Sequence, residues 1–209
     1  MSFVTDSNKT YVPNRNYSIT YNLNGGTVVT ANPTTYSLKD TFTLNNPTRH
    51  CYNFTGWTGT GLNSASTAVA VPQCSWGNRS YAANWAENPI KATILVNDNV
   101  HNQISGRVVR IMKPDGTQRD EHTYSCSGYY GQGASASGTV NVMPGDKIII
   151  EALYPIQGSS VKYNNEIVSG GYSGGYVVPS AASSISILIQ IFAGSTSYYE
   201  SFGIYVTGS

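Results

Sequence analysis

After Pro89 the chain is cut into short pieces by turn signals: Pro114-Asp115-Gly116, Pro144-Gly145-Asp146, Asn164-Asn165 and Gly170-Gly171. Gly and Asn tolerate positive φ, and Pro presets the φ of a turn, so each signal marks a place where an extended chain reverses. The text between them is rich in β-branched residues. Residues 92–96, 106–112, 118–124, 138–143, 147–153, 160–163, 166–169, 176–178, 185–192 and 202–207 read as strands. Many short strands with turns at this spacing predict a β-sandwich of the Ig-like or jelly-roll kind over residues 91–209. The densest apolar strands, 147–151 and 185–192, are predicted to be central.

The first part of the chain carries a different pattern. Residues 18–23 alternate, with Ile19, Tyr21 and Leu23 on one side and Ser18, Thr20 and Asn22 on the other. That is a half-buried strand. Asn24-Gly25-Gly26 ends it, and Asn32-Pro33 and Asn46-Pro47 punctuate the loops that follow. Residues 41–44 read as a second strand and 80–85 as a closing one. Tyr52, Phe54 and Trp57 supply the large apolar area of a small core, with Gly56 among them for close packing. No helical stripe of useful length appears in this half.

Three phrases in this order, YSITYNLNGG, NPTRHCYNFTGW and NRSYAANW, resemble the repeat of bacterial surface proteins known as the Listeria–Bacteroides, or internalin-B-type B, repeat. The resemblance covers about a third of the chain, in one copy. It implies a compact β-grasp-like unit used as a spacer and adhesion module, with no chemistry attached. Cys51 departs from the motif, standing where Gly usually precedes the aromatic. The expected organisation is all-β: an N-terminal arm over 1–16, a repeat-like domain over 17–86, a linker over 87–90 and the sandwich over 91–209.

Composition narrows the function. Charged residues are 11% of the chain and the net charge is +1, against roughly 25% charged in an ordinary domain. No basic stripe points to nucleic acid. The longest apolar-leaning run, 185–192, is far short of the roughly 20 residues of a membrane span. No apolar leader core follows the start of the chain, and IYVTGS carries no wall-sorting tail. A surface-type module without visible export leads to the expectation of a bacteriophage virion protein, made in the bacterial cytoplasm and released by lysis. It would decorate the capsid or form part of a head or tail fibre. The alternative is a fragment of a bacterial cell-surface adhesin that binds a host protein or glycan. The expected partners are the major capsid or other virion proteins, further copies of the same chain, and bacterial-surface or mucosal glycans, with no nucleic acid and no membrane. Residues 1–16 and the sandwich are the expected docking parts, with the repeat-like domain displayed.

Candidate sites are few. The acids and the three histidines are scattered, and no G-x-S-x-G, H-E-x-x-H or phosphate loop is present, so no enzyme and no cofactor are expected. Asn97-Asp98-Asn99 with His101 and Asn102 is oxygen-rich but lacks the spacing of a calcium loop and reads as a polar turn. Cys51, Cys74 and Cys126 form no C-x-x-C pair, so no zinc site is expected. Cys51 and Cys74 are the possible disulfide, against the plainer reading of idle thiols. Tyr among Ser, Gly and Asn is the composition of adaptable recognition loops. The binding candidates are therefore Tyr129, Tyr130, Tyr172, Tyr176, Tyr198 and Tyr199, each equally compatible with ordinary sandwich loops. Trp76 is the aromatic expected to be exposed, a candidate for stacking on a glycan.

Overall fold

The structure, a computed structural model, describes residues 15–98, 103–127, 134–152, 154–169, 174–193 and 197–208. These residues contain strands, turns and no helix, so the fold is all-β. The chain divides into two compact units between Glu87 and Asn88.

The first unit holds β1 (Asn16–Asn22), β2 (Thr35–Ser37), β3 (Phe42–Thr43), β4 (Tyr52–Gly59), β5 (Ala70–Val71) and β6 (Arg79–Glu87). Four of them form one sheet in the order β2-β1-β6-β4, and β3 pairs with β5 apart from it. The alternation of 18–23 is realised as drawn: Ile19 is buried, while Ser18, Thr20 and Asn22 face solvent. β1 lies parallel to β6, with Ile19 opposite Arg79 and Tyr21 opposite Tyr81. The core gathers Ile19, Tyr36, Leu44, Trp57, Val69, Val71, Tyr81 and Ala83.

The aromatic box explains the motif. Trp57 is fully buried, and its indole N–H donates to Asn46 Oδ1 at 3.1 Å. Phe54 meets both Trp57 and Trp85 edge-on at 5.5 Å, a favoured aromatic geometry. Trp85 in turn donates its indole N–H to the Leu23 carbonyl at 3.1 Å. The turn at the end of β1 is shaped for that contact. Asn24 (φ 47°) and Gly25 (φ 83°) sit in the left-handed region, the pair that a type I′ turn prefers. A Cβ on Gly26 would lie 2.4 Å from Trp85 Cζ2, so only glycine admits the ring. The stretch predicted only as core-filling aromatics is itself strand β4. It bulges between Phe54 and Gly56, where Gly56 adopts φ 131°. That bulge breaks the period of two and hides the strand from a pattern search.

The second unit holds β7 (Ile90–Asp98), β8 (Gln103–Met112), β9 (Gln118–Ser127), β10 (Ala134–Val142), β11 (Lys147–Ile150), β12 (Ser160–Tyr163), β13 (Glu166–Ser169), β14 (Tyr176–Val177), β15 (Ala182–Ala193) and β16 (Tyr198–Gly208). They form a six-stranded sheet, β10-β7-β15-β16-β12-β13, and a four-stranded sheet, β14-β11-β8-β9. One continuous core draws on both, including Ala92, Ile94 and Val96 of β7, Val109 and Ile111 of β8, Ile148 and Ile150 of β11, and Ile187, Ile189 and Ile191 of β15. The predicted sandwich is therefore present, with β15 inside its sheet as expected. Its pairing is mixed, since β7–β15 and β12–β16 run parallel, whereas a jelly roll is antiparallel throughout.

Along one side the two edge strands are sewn together. Asp120 of β9 accepts hydrogen bonds from the backbone N–H (2.7 Å) and side-chain amide (3.0 Å) of Asn141 on β10. The His122 ring fills the space above Gly138, where a Cβ would lie 2.1 Å from its Nε2. Beneath the turn from β10 to β11, Asp146 is wholly buried. Its Oδ2 accepts from Arg119 Nε and from the Met143 N–H at 2.7 Å. This ion pair fastens β9 to that turn.

Candidate functional site

The side of the sandwich away from the sewn seam is open. Tyr163 of β12, Val168 of β13, Tyr176 and Val177 of β14, and Pro179 to Ala181 beyond it line a cleft of about 630 Å³. No lining residue is charged. Val177 is 59% exposed, and Ile167 and Val168 on the neighbouring edge strand are also exposed. β13 and β14 are both edge strands, so each also presents unpaired backbone groups to solvent. Burial, with the Tyr163 phenol nearby, pushes the Tyr176 hydroxyl above its ordinary range. The cleft offers apolar area and neutral phenols, the chemistry of contact with an uncharged partner.

The sequence candidates are dispersed. Tyr176 lies in the cleft. Tyr198 and Tyr199 are neighbours that part company: Tyr198 stacks edge-on against Tyr154 at 5.7 Å, while Tyr199 lies against Phe192 at 6.0 Å. Alternation along β16 sends them to opposite faces of the sheet. Tyr129, Tyr130 and Tyr172 fall outside the described residues, as do residues 1–14 of the expected arm. Trp76 is 78% exposed, as expected, on the loop between β5 and β6. That loop is held by Cys74 N–H on the Leu38 carbonyl (2.8 Å) and by the Tyr36 hydroxyl on the Gly77 carbonyl (2.6 Å).

The Cys51–Cys74 disulfide is not formed; both cysteines are free, Cys51 half-buried and Cys74 exposed. Burial pushes the Cys51 thiol above its ordinary range. The two residues share a backbone peculiarity instead, since Cys51 has φ 57° and Cys74 φ 66°. Cys51 is the third residue of the turn that the Tyr52 N–H closes onto the Arg49 carbonyl. A positive φ at that place is what selects glycine in a turn, which accounts for the glycine the repeat motif carries there. Arg49 then stacks on Tyr52 at 3.7 Å and donates to the Asn24 carbonyl at 3.0 Å, joining this turn to the one after β1.

Sequence reasoning missed Tyr163, Val168, Val177 and Pro179, because the cleft exists only where two edges fail to meet. Among the described residues no group of three or more His, Cys, Asp or Glu is placed to hold a metal ion.

With this geometry in place, comparison with known families assigns the first unit. Residues 17–70 match the family model of the Listeria-Bacteroides repeat domain. The first unit therefore carries a Listeria-Bacteroides repeat domain, a surface and adhesion-type module typical of extracellular or surface proteins. The structural unit runs on past the matched segment, since β6, which closes the sheet beside β1, lies beyond residue 70. Searches of curated proteins and of solved structures returned no match.

Proposed function

We propose that this is a non-enzymatic structural protein of a bacteriophage particle, which decorates the capsid or a fibre and displays a surface-adhesion domain. The observation that carries the reading is the repeat domain of residues 17–70, joined to a β-sandwich through only Asn88 and Pro89 between β6 and β7. The open edges and uncharged cleft of the sandwich support docking on another protein of the particle or on a further copy of the chain. The repeat domain equally favours a second reading, a bacterial cell-surface adhesin that binds a host protein or glycan.

Mass spectrometry of gradient-purified phage particles, beside the cell-wall fraction of the uninfected host, separates the two. The particle reading expects peptides from both units in particles at constant ratio to the capsid protein. Peptides confined to the cell wall overturn it in favour of the adhesin.

A further inference from the structure

The outer face of the six-stranded sheet has a pattern that neither the core nor the cleft explains. Alternation turns Leu188 and Gln190 of β15 and Tyr199, Ser201, Gly203 and Tyr205 of β16 away from the core. Gly203 is the unusual member. A Cβ there would lie 2.7 Å from Tyr205 Cε2 and 2.8 Å from its hydroxyl oxygen, so the phenol end of Tyr205 lies over the bare backbone of Gly203. The ring lies across the sheet yet remains 37% exposed. Leu188 pairs with Gly203 on one side and with Leu95, 45% exposed, on the other. An apolar strip thus crosses three strands, about 10 Å at the usual strand spacing.

Further along the same face Tyr199 and Phe192 form a second aromatic patch, stacked at 6.0 Å. The Gln190–Ser201 pair lies between the two patches. Four residues separate Tyr199 from Gly203, roughly 13 Å along a strand. Lys162, paired with Tyr205, brings its ammonium to 5.7 Å from the ring centre. Among the described residues, the strands of this face turn no carboxylate outward. Aromatic surface alternating with neutral amide and hydroxyl groups matches a ligand that is itself alternately apolar and hydroxylated. The absence of carboxylates disfavours cationic ligands and leaves no oxygen cage for calcium.

We propose that this face binds a glycan. A pyranose ring would lie against Tyr205 and Leu188, its hydroxyls meeting Gln190 and Ser201. Lys162 would take a hydroxyl or carboxylate oxygen, and Tyr199 with Phe192 would hold a sugar further along the same oligosaccharide. This goes beyond the proposed function and stands whether the chain is carried on a particle or on a cell.

The test is a glycan array of neutral and carboxylated pyranosides, probed with the full chain as monomer and as cross-linked multimer. Hits are then titrated by calorimetry. Tyr205→Phe keeps the ring and is expected to bind within about twofold of the parent. Tyr205→Ala is expected to lose roughly tenfold or more, about 1.4 kcal/mol, and Gln190→Ala, an exposed change that leaves the core alone, severalfold. Circular dichroism confirms that each variant is folded. A blank array in both forms overturns the proposal, as does binding that survives both Tyr205→Ala and Gln190→Ala. A dimer in sedimentation that Tyr205→Ala dissociates, without saccharide binding, assigns the face to a second copy and also overturns it.

Discussion

Replacing Asp146 by alanine tests how the sandwich is held together. The carboxylate has no solvent exposure and its partner Arg119 side chain is only 11% exposed. Oδ2 bridges that guanidinium and the Met143 N–H. The same turn sends the Gly145 N–H to the Val178 carbonyl (2.9 Å) and receives the Val178 N–H on the Asp146 carbonyl (2.8 Å), so β9, the β10–β11 turn and the chain after β14 converge on one residue. Removing one member of a buried pair costs about 3–5 kcal/mol, because the other charge stays in low dielectric. A domain is stable by only about 5–15 kcal/mol, so Asp146→Ala is expected to remove roughly a fifth or more of the second unit's stability. All three tryptophans, Trp57, Trp76 and Trp85, lie in the first unit. Urea unfolding followed by far-UV circular dichroism therefore reports both units, and tryptophan fluorescence only the first. The expected result is an early circular-dichroism transition with the fluorescence midpoint unchanged. The pair's own strength follows from a double change, Asp146→Leu with Arg119→Met, which is expected to recover most of the loss since no charge is then stranded. A loss below about 1 kcal/mol for Asp146→Ala, the range of exposed pairs, would refute the reasoning.

Three further outcomes concern the repeat domain. Cys51→Gly relieves a left-handed backbone at φ 57°, worth roughly 1–2 kcal/mol for an L-residue less the entropy glycine loses on folding. A net gain of up to about 1 kcal/mol is expected in the tryptophan-monitored midpoint. Gly26→Ala drives a methyl to 2.4 Å from the Trp85 ring and is expected to cost about 1–3 kcal/mol by overpacking, read in the same assay. Tyr21 responds to alkali. Burial first, then the Tyr81 phenol, push its hydroxyl up to about 12, and it donates to the Pro33 carbonyl at 2.8 Å. With the folded value above the unfolded one, its contribution is intact below pH 10 and is lost as the pH rises toward 12. Stability of the first unit should therefore fall between those values, and Tyr21→Phe should flatten the fall.

Much of the fold was legible because local pattern and burial coincide. The period of two along 18–23 named the buried face, the apolar density of 185–192 its place inside a sheet, and proline, glycine and asparagine placed the turns. The pattern failed at β4, where the Gly56 bulge shifts register, and at β2 and β5, which are too short to show a period. The parallel pairing of β1 with β6 was illegible in principle, since it joins strands some 60 residues apart. Sites fared worse than strands. Composition singled out tyrosines in glycine-rich loops, yet what a tyrosine does depends on its neighbours in space. Tyr176 acquires a cleft from Tyr163 and Val168. Tyr205, in an ordinary strand, acquires an exposed ring because Gly203 on the same face has no side chain. A glycine two residues before a tyrosine in a strand was the available signal.

The few charges also bear on how the proposed partners would be met. Arg110 lies 2.6 Å from Glu151 and 3.6 Å from Glu121, Arg119 is committed to Asp146, and Arg79 donates to the hydroxyls of Tyr36 (2.9 Å) and Tyr81 (3.2 Å). Arginines engaged within their own unit project little field. With a net charge of +1, long-range steering is weak, and the proposed recognition would fall to aromatic area and neutral hydrogen bonds, which salt hardly screens. Association with a capsid protein, a second copy or a glycan should therefore change by less than about threefold between 50 and 500 mM salt, conditions over which the Debye length shrinks from about 14 to about 4 Å. A steep loss of affinity with salt in surface plasmon resonance would instead place the exposed cationic side chains at the centre of recognition, and the aromatic surfaces at its margin.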